Sequence, residues 1–231
     1  MRLIFTVLIF LAALGGATAR AAHTDAQLLL SATTARPGDT IWAGVDLKME
    51  PGWHTYWKNP GEAGEATQIK WQLPPGVTAG EIQWPLPEKL PPAEITTYGY
   101  EDEVMLLVPL KIAANVSPDE LNLKANVSWL ECKESCIPAA QDVEAKLTIG
   151  SETKNSPDAA TIDLWKKKVP QPYQLFTLRT YWEKVNGDTR SLIIEGYQQV
   201  SFFIQLSDVD FFPDASDNFE VQPATEIITA N

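Results

Sequence analysis

Two residues have the chemistry to do something on their own. Cys132 and Cys136 are the only cysteines in the 231-residue chain, with Lys133, Glu134 and Ser135 between them. In an extended strand, residues four apart sit about 13 Å apart at Cα, beyond disulfide reach, so this segment must turn before the sulfurs can meet. Three uses of such a pair compete. As a structural staple it closes a very short loop and contributes only about 2 kcal/mol in the loop-entropy picture. As a redox pair on an exposed loop, one sulfur is attacked by a partner thiolate and the other resolves the mixed disulfide. As a metal site, two thiolates take copper(I) or zinc, with His54, Met49 or Met105 as helpers. Lys133 favours a thiolate here, whereas Glu131 and Glu134 oppose it.

The elements that must position the pair are strands. Before it, Leu121, Leu123, Ala125, Val127 and Trp129 alternate with polar residues. After it, Val143, Ala145, Leu147 and Ile149 do the same. Both are period-2 patterns of half-buried strands, which places the cysteines in the connection between them, near a sheet rim. Residues 40–49 alternate in the same way after the Pro37-Gly38-Asp39 turn signal. Residues 104–112 form an apolar run containing Pro109, which predicts an edge strand or a bulge. Recurrent proline punctuation between short strands predicts an all-β, immunoglobulin-like sandwich over residues 23–150.

Residues 1–22 read as a secretory signal peptide: Arg2, a short apolar run, then small residues at 17–21. His23, next to the new N-terminus, is expected to be disordered. Export makes a disulfide or dithiol the first reading of the cysteines. The formal net charge is −12, and about −14 without Arg2 and Arg20, which argues against nucleic acid as a partner. Residues 151–172 read as a helical connector: Ser156 caps, Pro157 takes the first helical position, and the helix stops before Pro170. Residues 173–231 read as a second β domain that looks incomplete, with strands at 174–181, 192–195 and 202–206. No dinucleotide, Walker-type or serine-hydrolase motif is present, and no cofactor is expected. Trp53, Tyr56 and Trp57 are read as core or rim packing, and His54 as a hydrogen-bonded structural residue.

Gly52-Trp53-His54-Thr55-Tyr56-Trp57-Lys58-Asn59-Pro60-Gly61, then Tyr98-Gly99-Tyr100-Glu101-Asp102-Glu103-Val104, then Cys132-x-x-x-Cys136-Ile137-Pro138 resemble, in that order, the exported N-terminal region of DsbD-like protein-disulfide reductases. The ScsB branch, linked to copper tolerance, is the nearer likeness, because the DsbD branch proper spaces its cysteines more widely. The resemblance covers residues 25–150 well and 151–231 more loosely. It implies a periplasmic immunoglobulin-like domain in which Cys132 and Cys136 are the catalytic redox pair and Cys136 forms the mixed disulfide. It also implies thioredoxin-fold partners, with electrons supplied by membrane and thioredoxin-like domains of the same or a longer protein. Residues 91–98 match the family's cap loop, with Ile95 and Tyr98 as the apolar part of a cover over the pair. The alternatives are a copper(I)-binding module of a metal-tolerance system, or a structural β-sandwich with a plain cystine.

Overall fold

The computed structural model describes residues 22–91, 95–117, 119–172, 176–185, 187–198, 210–216 and 221. In chain order its elements are β1 (Thr24–Leu30), β2 (Ala32–Ala35), β3 (Thr40–Met49), β4 (His54–Gly61), β5 (Gln68–Gln72), β6 (Val77–Ala79), β7 (Glu88–Lys89), β8 (Thr97–Glu101), β9 (Glu103–Ile112), β10 (Glu120–Cys132), β11 (Cys136–Ile149), β12 (Lys154–Asn155), α1 (Ala159–Lys166), β13 (Phe176–Trp182) and β14 (Leu192–Gln198). The signal-peptide reading and the strand expected at 202–206 fall outside the described residues.

Two sheets face one another as an immunoglobulin-like β-sandwich. One runs β1-β3-β9-β6. The other runs β12-β2-β11-β10-β4-β8-β7, with β5 also paired to β10. The alternation read from the sequence decides what lies between them. Ile41, Ala43, Val45, Leu47 and Met49 of β3, Leu123, Ala125, Val127 and Trp129 of β10, and Val143, Leu147 and Ile149 of β11 are all buried in one apolar core. Each of the larger of these side chains contributes roughly 1.5–3 kcal/mol on burial, and the alanines less.

β9 is not an edge strand. It pairs with β3 from Glu103 to Lys111 and with β6 from Leu110 to Ile112. Pro109 is tolerated because its side of the strand turns toward the end of β6, where its carbonyl still accepts the Gly80 N–H at 2.8 Å. The missing proline donor costs nothing on the β3 side and falls where the β6 ladder ends, at Ala79↔Leu110.

α1 lies on the outer face of the smaller sheet. Ile162 and Trp165 are its buried residues, and the bare Gly44 leaves the space that Met105 and Ile162 fill. Ser156 acts just ahead of the helix, accepting the Asp158 N–H at 3.0 Å. Lys166 stands over the Trp42 ring and Lys168 over Trp165. β13 and β14 form a separate antiparallel ribbon. Further on, Phe212 packs edge-on against Trp57 and Tyr98, and Lys89 pairs with Asp210 at 2.6 Å, so this part of the chain sits on β4, β7 and β8.

One buried charge in the smaller sheet yields a pH prediction. Asp46 on β3 is 2% exposed. Burial, then the neighbouring Glu103 carboxylate, pushes its carboxyl up to about 6, against the pull of Lys48. A carboxyl whose folded pKa exceeds its unfolded value binds more protons in the folded state, so stability rises as pH falls through 6. Asp46→Asn is expected to stabilise the protein by about 2–3 kcal/mol at pH 7, by about half of that at pH 5 and by almost nothing at about pH 3.5, as read by denaturant unfolding across that range.

Candidate functional site

The pairing of β10 with β11 runs without a break from Glu120↔Thr148 to Cys132↔Cys136. The two cysteines thus close a β-hairpin with only residues 133–135 beyond them. Their Cα atoms are 4.2 Å apart, and their sulfurs form a disulfide. Strand alternation assigns them a face. The core residues of β10 and β11 carry odd numbers, so the even-numbered cysteines lie on the outer face of the larger sheet, away from the core. They differ in access: Cys132 is 3% exposed, whereas Cys136 is exposed.

β4 supplies the neighbours. His54 is the register partner of Cys132, so His54 and, two residues on, Tyr56 share the face of the disulfide. The Tyr56 hydroxyl donates to Cys132 Sγ at 2.8 Å and lies 3.5 Å from Cys136 Sγ. His54 Nε2 is 3.4 Å from the same hydroxyl. Burial raises the Tyr56 phenol above its ordinary value and lowers the His54 imidazole. Tyr56 therefore keeps its proton at neutral pH, and His54 is favoured as neutral. Gly64, at φ +109°, packs against the Tyr56 ring where any Cβ would collide with it. A neutral O–H held at this distance suits a thiolate on Cys132, which accepts a stronger hydrogen bond than a disulfide sulfur does.

Behind the disulfide, on the core face, the apolar row of β10 ends in Glu131, which is 0% exposed. Its carboxylate accepts the His23 backbone N–H at 2.8 Å and the Trp129 indole N–H at 3.1 Å. His23 is therefore ordered, contrary to expectation. Its ring stacks on Trp53 with centroids 3.8 Å apart, and its Nδ1 pairs with Glu50 at 2.8 Å. Lys133 does not point at the sulfurs; its ammonium donates to the Pro51 carbonyl at 3.1 Å.

Other expectations divide. His54 is brought beside Cys132, but Met105 sits under α1 on the other sheet, and the Met49 sulfur faces Thr55. Among the described residues no group of three His, Cys, Asp or Glu forms a metal site. Tyr98 is no part of a cover over the pair. It is 1% exposed and packs into the core face against Trp57 and Phe212, because strand alternation on β8 turns it inward. Ile95 is 36% exposed, and residues 92–94 lie outside the described set. Tyr56, read from the sequence as packing, is the aromatic that meets the sulfurs. A polar-tipped aromatic in register with a cysteine-bearing strand was the available signal, but the register could not be read from one strand alone.

Residues 25–148 match the family model "Thiol:disulfide interchange protein DsbD, N-terminal".

The chain belongs to this family.

The DsbD N-terminal match spans the strands that build the site, from the second residue of β1 to the penultimate residue of β11. Among solved structures, the N-terminal periplasmic domain of ScsB from Proteus mirabilis is similar at 20% identity, over 76% of this chain and 79% of that one, with a TM-score of 0.44. The DsbD N-terminal domain of Neisseria meningitidis in its reduced form is similar at 16% identity, over 55% and 89% of the respective chains, with a TM-score of 0.27. The comparison with curated proteins gave no match.

The geometry predicts the effect of removing one oxygen. Tyr56→Phe keeps the ring but loses the donor to Cys132, and hydrogen bonds to charged groups are worth about 1.5–3 kcal/mol. Thiol–disulfide exchange by the reduced protein is expected to slow at least about tenfold, read by stopped-flow with a model disulfide, with the far-UV circular dichroism unchanged.

Proposed function

We propose that this chain is a periplasmic thiol–disulfide exchange module that passes electrons from a membrane reductase to exported thioredoxin-fold proteins. In this reading Cys132 and Cys136 are the catalytic residues, and the chain works as part of a larger protein-disulfide reductase. Family membership supports the class of chemistry. The observation that carries the assignment is the unequal access of the two sulfurs: Cys136 is open to solvent at the tip of a rigid hairpin, while Cys132 is buried under the Tyr56 hydroxyl.

The sequence of events follows from that asymmetry. The Cys136 thiolate attacks one sulfur of the partner's disulfide. A Cys136–partner bond forms, the partner's own S–S bond breaks, and its displaced sulfur leaves as a thiolate that takes up a proton. Cys132 then loses its proton to solvent and attacks Cys136 Sγ. The Cys132–Cys136 bond forms, the mixed disulfide breaks, and the second partner sulfur leaves and is protonated. Two electrons and two protons have moved to the partner. Tyr56 donates to the Cys132 thiolate in the second attack, so it stabilises the charge at the atom that must carry it.

Trapping tests the order. Cys132→Ser, reduced and mixed with an oxidised thioredoxin-fold protein, is expected to accumulate a mixed disulfide through Cys136 on a non-reducing gel. Cys136→Ser is expected to accumulate at most a tenth as much. Equal trapping by both variants refutes the order of attack, and trapping by neither refutes the exchange reading.

A further inference from the structure

The Cys132 proton that ends in solvent has to leave a buried atom. Cys132 must ionise before it attacks Cys136 Sγ, yet Cys132 and the neighbouring Tyr56 are each only 3% exposed. Water does not reach that sulfur freely, and a thiolate formed in a buried place without a counter-charge is disfavoured. The polar group in contact with Cys132 Sγ is the Tyr56 hydroxyl, at 2.8 Å. Within reach of the same hydroxyl lies His54 Nε2, at 3.4 Å. Thiol, hydroxyl and imidazole are thus three proton-bearing groups in succession, and the last of them is only half-buried.

Strand pairing sets that succession. His54 is the register partner of Cys132, and Tyr56 follows two residues on along β4, so all three share the outer face. A tyrosine hydroxyl accepts and donates at once. It can take a proton from the thiol while giving its own to an imidazole, and burial that keeps the phenol neutral suits it to pass protons on. Burial also lowers the His54 imidazole, which leaves Nε2 free to accept at neutral pH in the tautomer protonated at Nδ1. The product is a thiolate and an imidazolium joined through one hydroxyl. Charge is separated but no net charge is created, which costs less in a buried site than a lone thiolate.

We infer that His54 accepts the Cys132 proton in the resolving step, reached through the Tyr56 hydroxyl. This rests on the exchange reading and gives its second half a proton route. His54 touches no sulfur; it acts through Tyr56. While Cys136 is held in the mixed disulfide, the Cys132 thiol gives its proton to the Tyr56 oxygen as the Tyr56 hydroxyl proton passes to His54 Nε2. The Cys132 thiolate, now accepting from the Tyr56 hydroxyl, attacks Cys136 Sγ. The Cys132–Cys136 bond forms, the bond to the partner sulfur breaks, and that sulfur leaves with the electron pair as a thiolate. His54 releases its proton to solvent, and the partner thiolate takes one up. When the disulfide is reduced with Cys132 as the leaving sulfur, the same route runs backward and reprotonates it.

The other titratable groups around His54 offer no such route. Glu101 of β8 is its register partner on the side away from Cys132, and Glu88 of β7 lies one strand beyond; both are exposed. They favour the imidazolium once it forms, but β4 stands between them and Cys132. In the turn, Lys133 donates to the Pro51 carbonyl, and Glu134 is exposed. Glu131 of β10 projects to the core face, where it meets the Trp129 indole.

A small aryl disulfide, dithiobis(nitrobenzoate), tests this on the reduced full chain without a protein partner. One thionitrobenzoate leaves when Cys136 attacks and a second when Cys132 closes the bond, and stopped-flow absorbance separates the two phases. Cys132→Ser is expected to give the first phase alone. In the unaltered chain the second-phase rate is expected to change less than about twofold between about pH 7 and 8, and to fall only below about pH 6.5, where His54 takes up a proton. His54→Gln cannot accept a proton. It is expected to slow the second phase at least about tenfold at about pH 7, to make it climb about tenfold per pH unit, and to leave the first phase within about twofold. In a Tyr56→Phe background the same substitution is expected to change nothing further, because the route is already cut. Failure of Cys132→Ser to react overturns the order of attack, and the inference with it. With that order intact, the inference is overturned if the second phase of the unaltered chain climbs about tenfold from about pH 7 to 8, a result that needs no variant to fold. It is also overturned if His54→Gln slows both phases equally or neither, or if it slows the Tyr56→Phe chain as much as the parent.

Discussion

The continuous ladder between β10 and β11 is the constraint on which the site depends. All 13 residues of β10 find partners on β11, ending with Cys132 opposite Cys136. A slip of one residue would carry the core row Leu123, Ala125, Val127 and Trp129 to solvent and turn the cysteines inward, so the burial of that row fixes where the sulfurs stand. The energy that sets the register is spread along the strands, while the chemistry is confined to the last pair. The site is thus held by the core of the sandwich and owes little to the disulfide, which closes too short a loop to restrict the unfolded chain much.

The larger sheet divides its two faces between packing and reactivity at the same end. On the inner face Trp129, Glu131, Trp53 and His23 tie the start of β1 to the end of β10. On the outer face Cys132, Cys136, His54 and Tyr56 come together because β4 pairs with β10 at His54↔Cys132. Glu131 and Cys132 are adjacent in the chain yet project to opposite faces, one into the core, the other toward the Tyr56 phenol.

Much of this was legible in the sequence where the signal is local. The strands at 40–49, 121–129 and 143–149 stand where their alternation put them, because alternate burial is a property of a strand and its own residues. The cysteine pair and its turn followed from chain geometry. What failed was what depends on a partner. Pro109 suggested an edge or a bulge; the strand is flanked by β3 and β6, and the pairing on the β6 side is interrupted between Ala79↔Leu110 and Gln83↔Leu107, next to the proline. His23 was expected to be disordered, since nothing within its own segment shows that Glu131, 108 positions away, accepts its N–H. Tyr98 and Tyr56 exchanged roles for the same reason: each aromatic faces core or cysteines according to register, which only the paired strands reveal.

The reduction potential of the Cys132–Cys136 couple tests the central claim most directly. It can be measured by equilibrating the protein with dithiol or glutathione buffers of set ratio and counting free thiols by alkylation. A disulfide at an exposed hairpin tip that serves exchange is expected between about −180 and −270 mV, where thioredoxin-fold couples can trade electrons with it. A value below about −300 mV, with the bond resisting those buffers, is the behaviour of a structural cystine and would contradict the account.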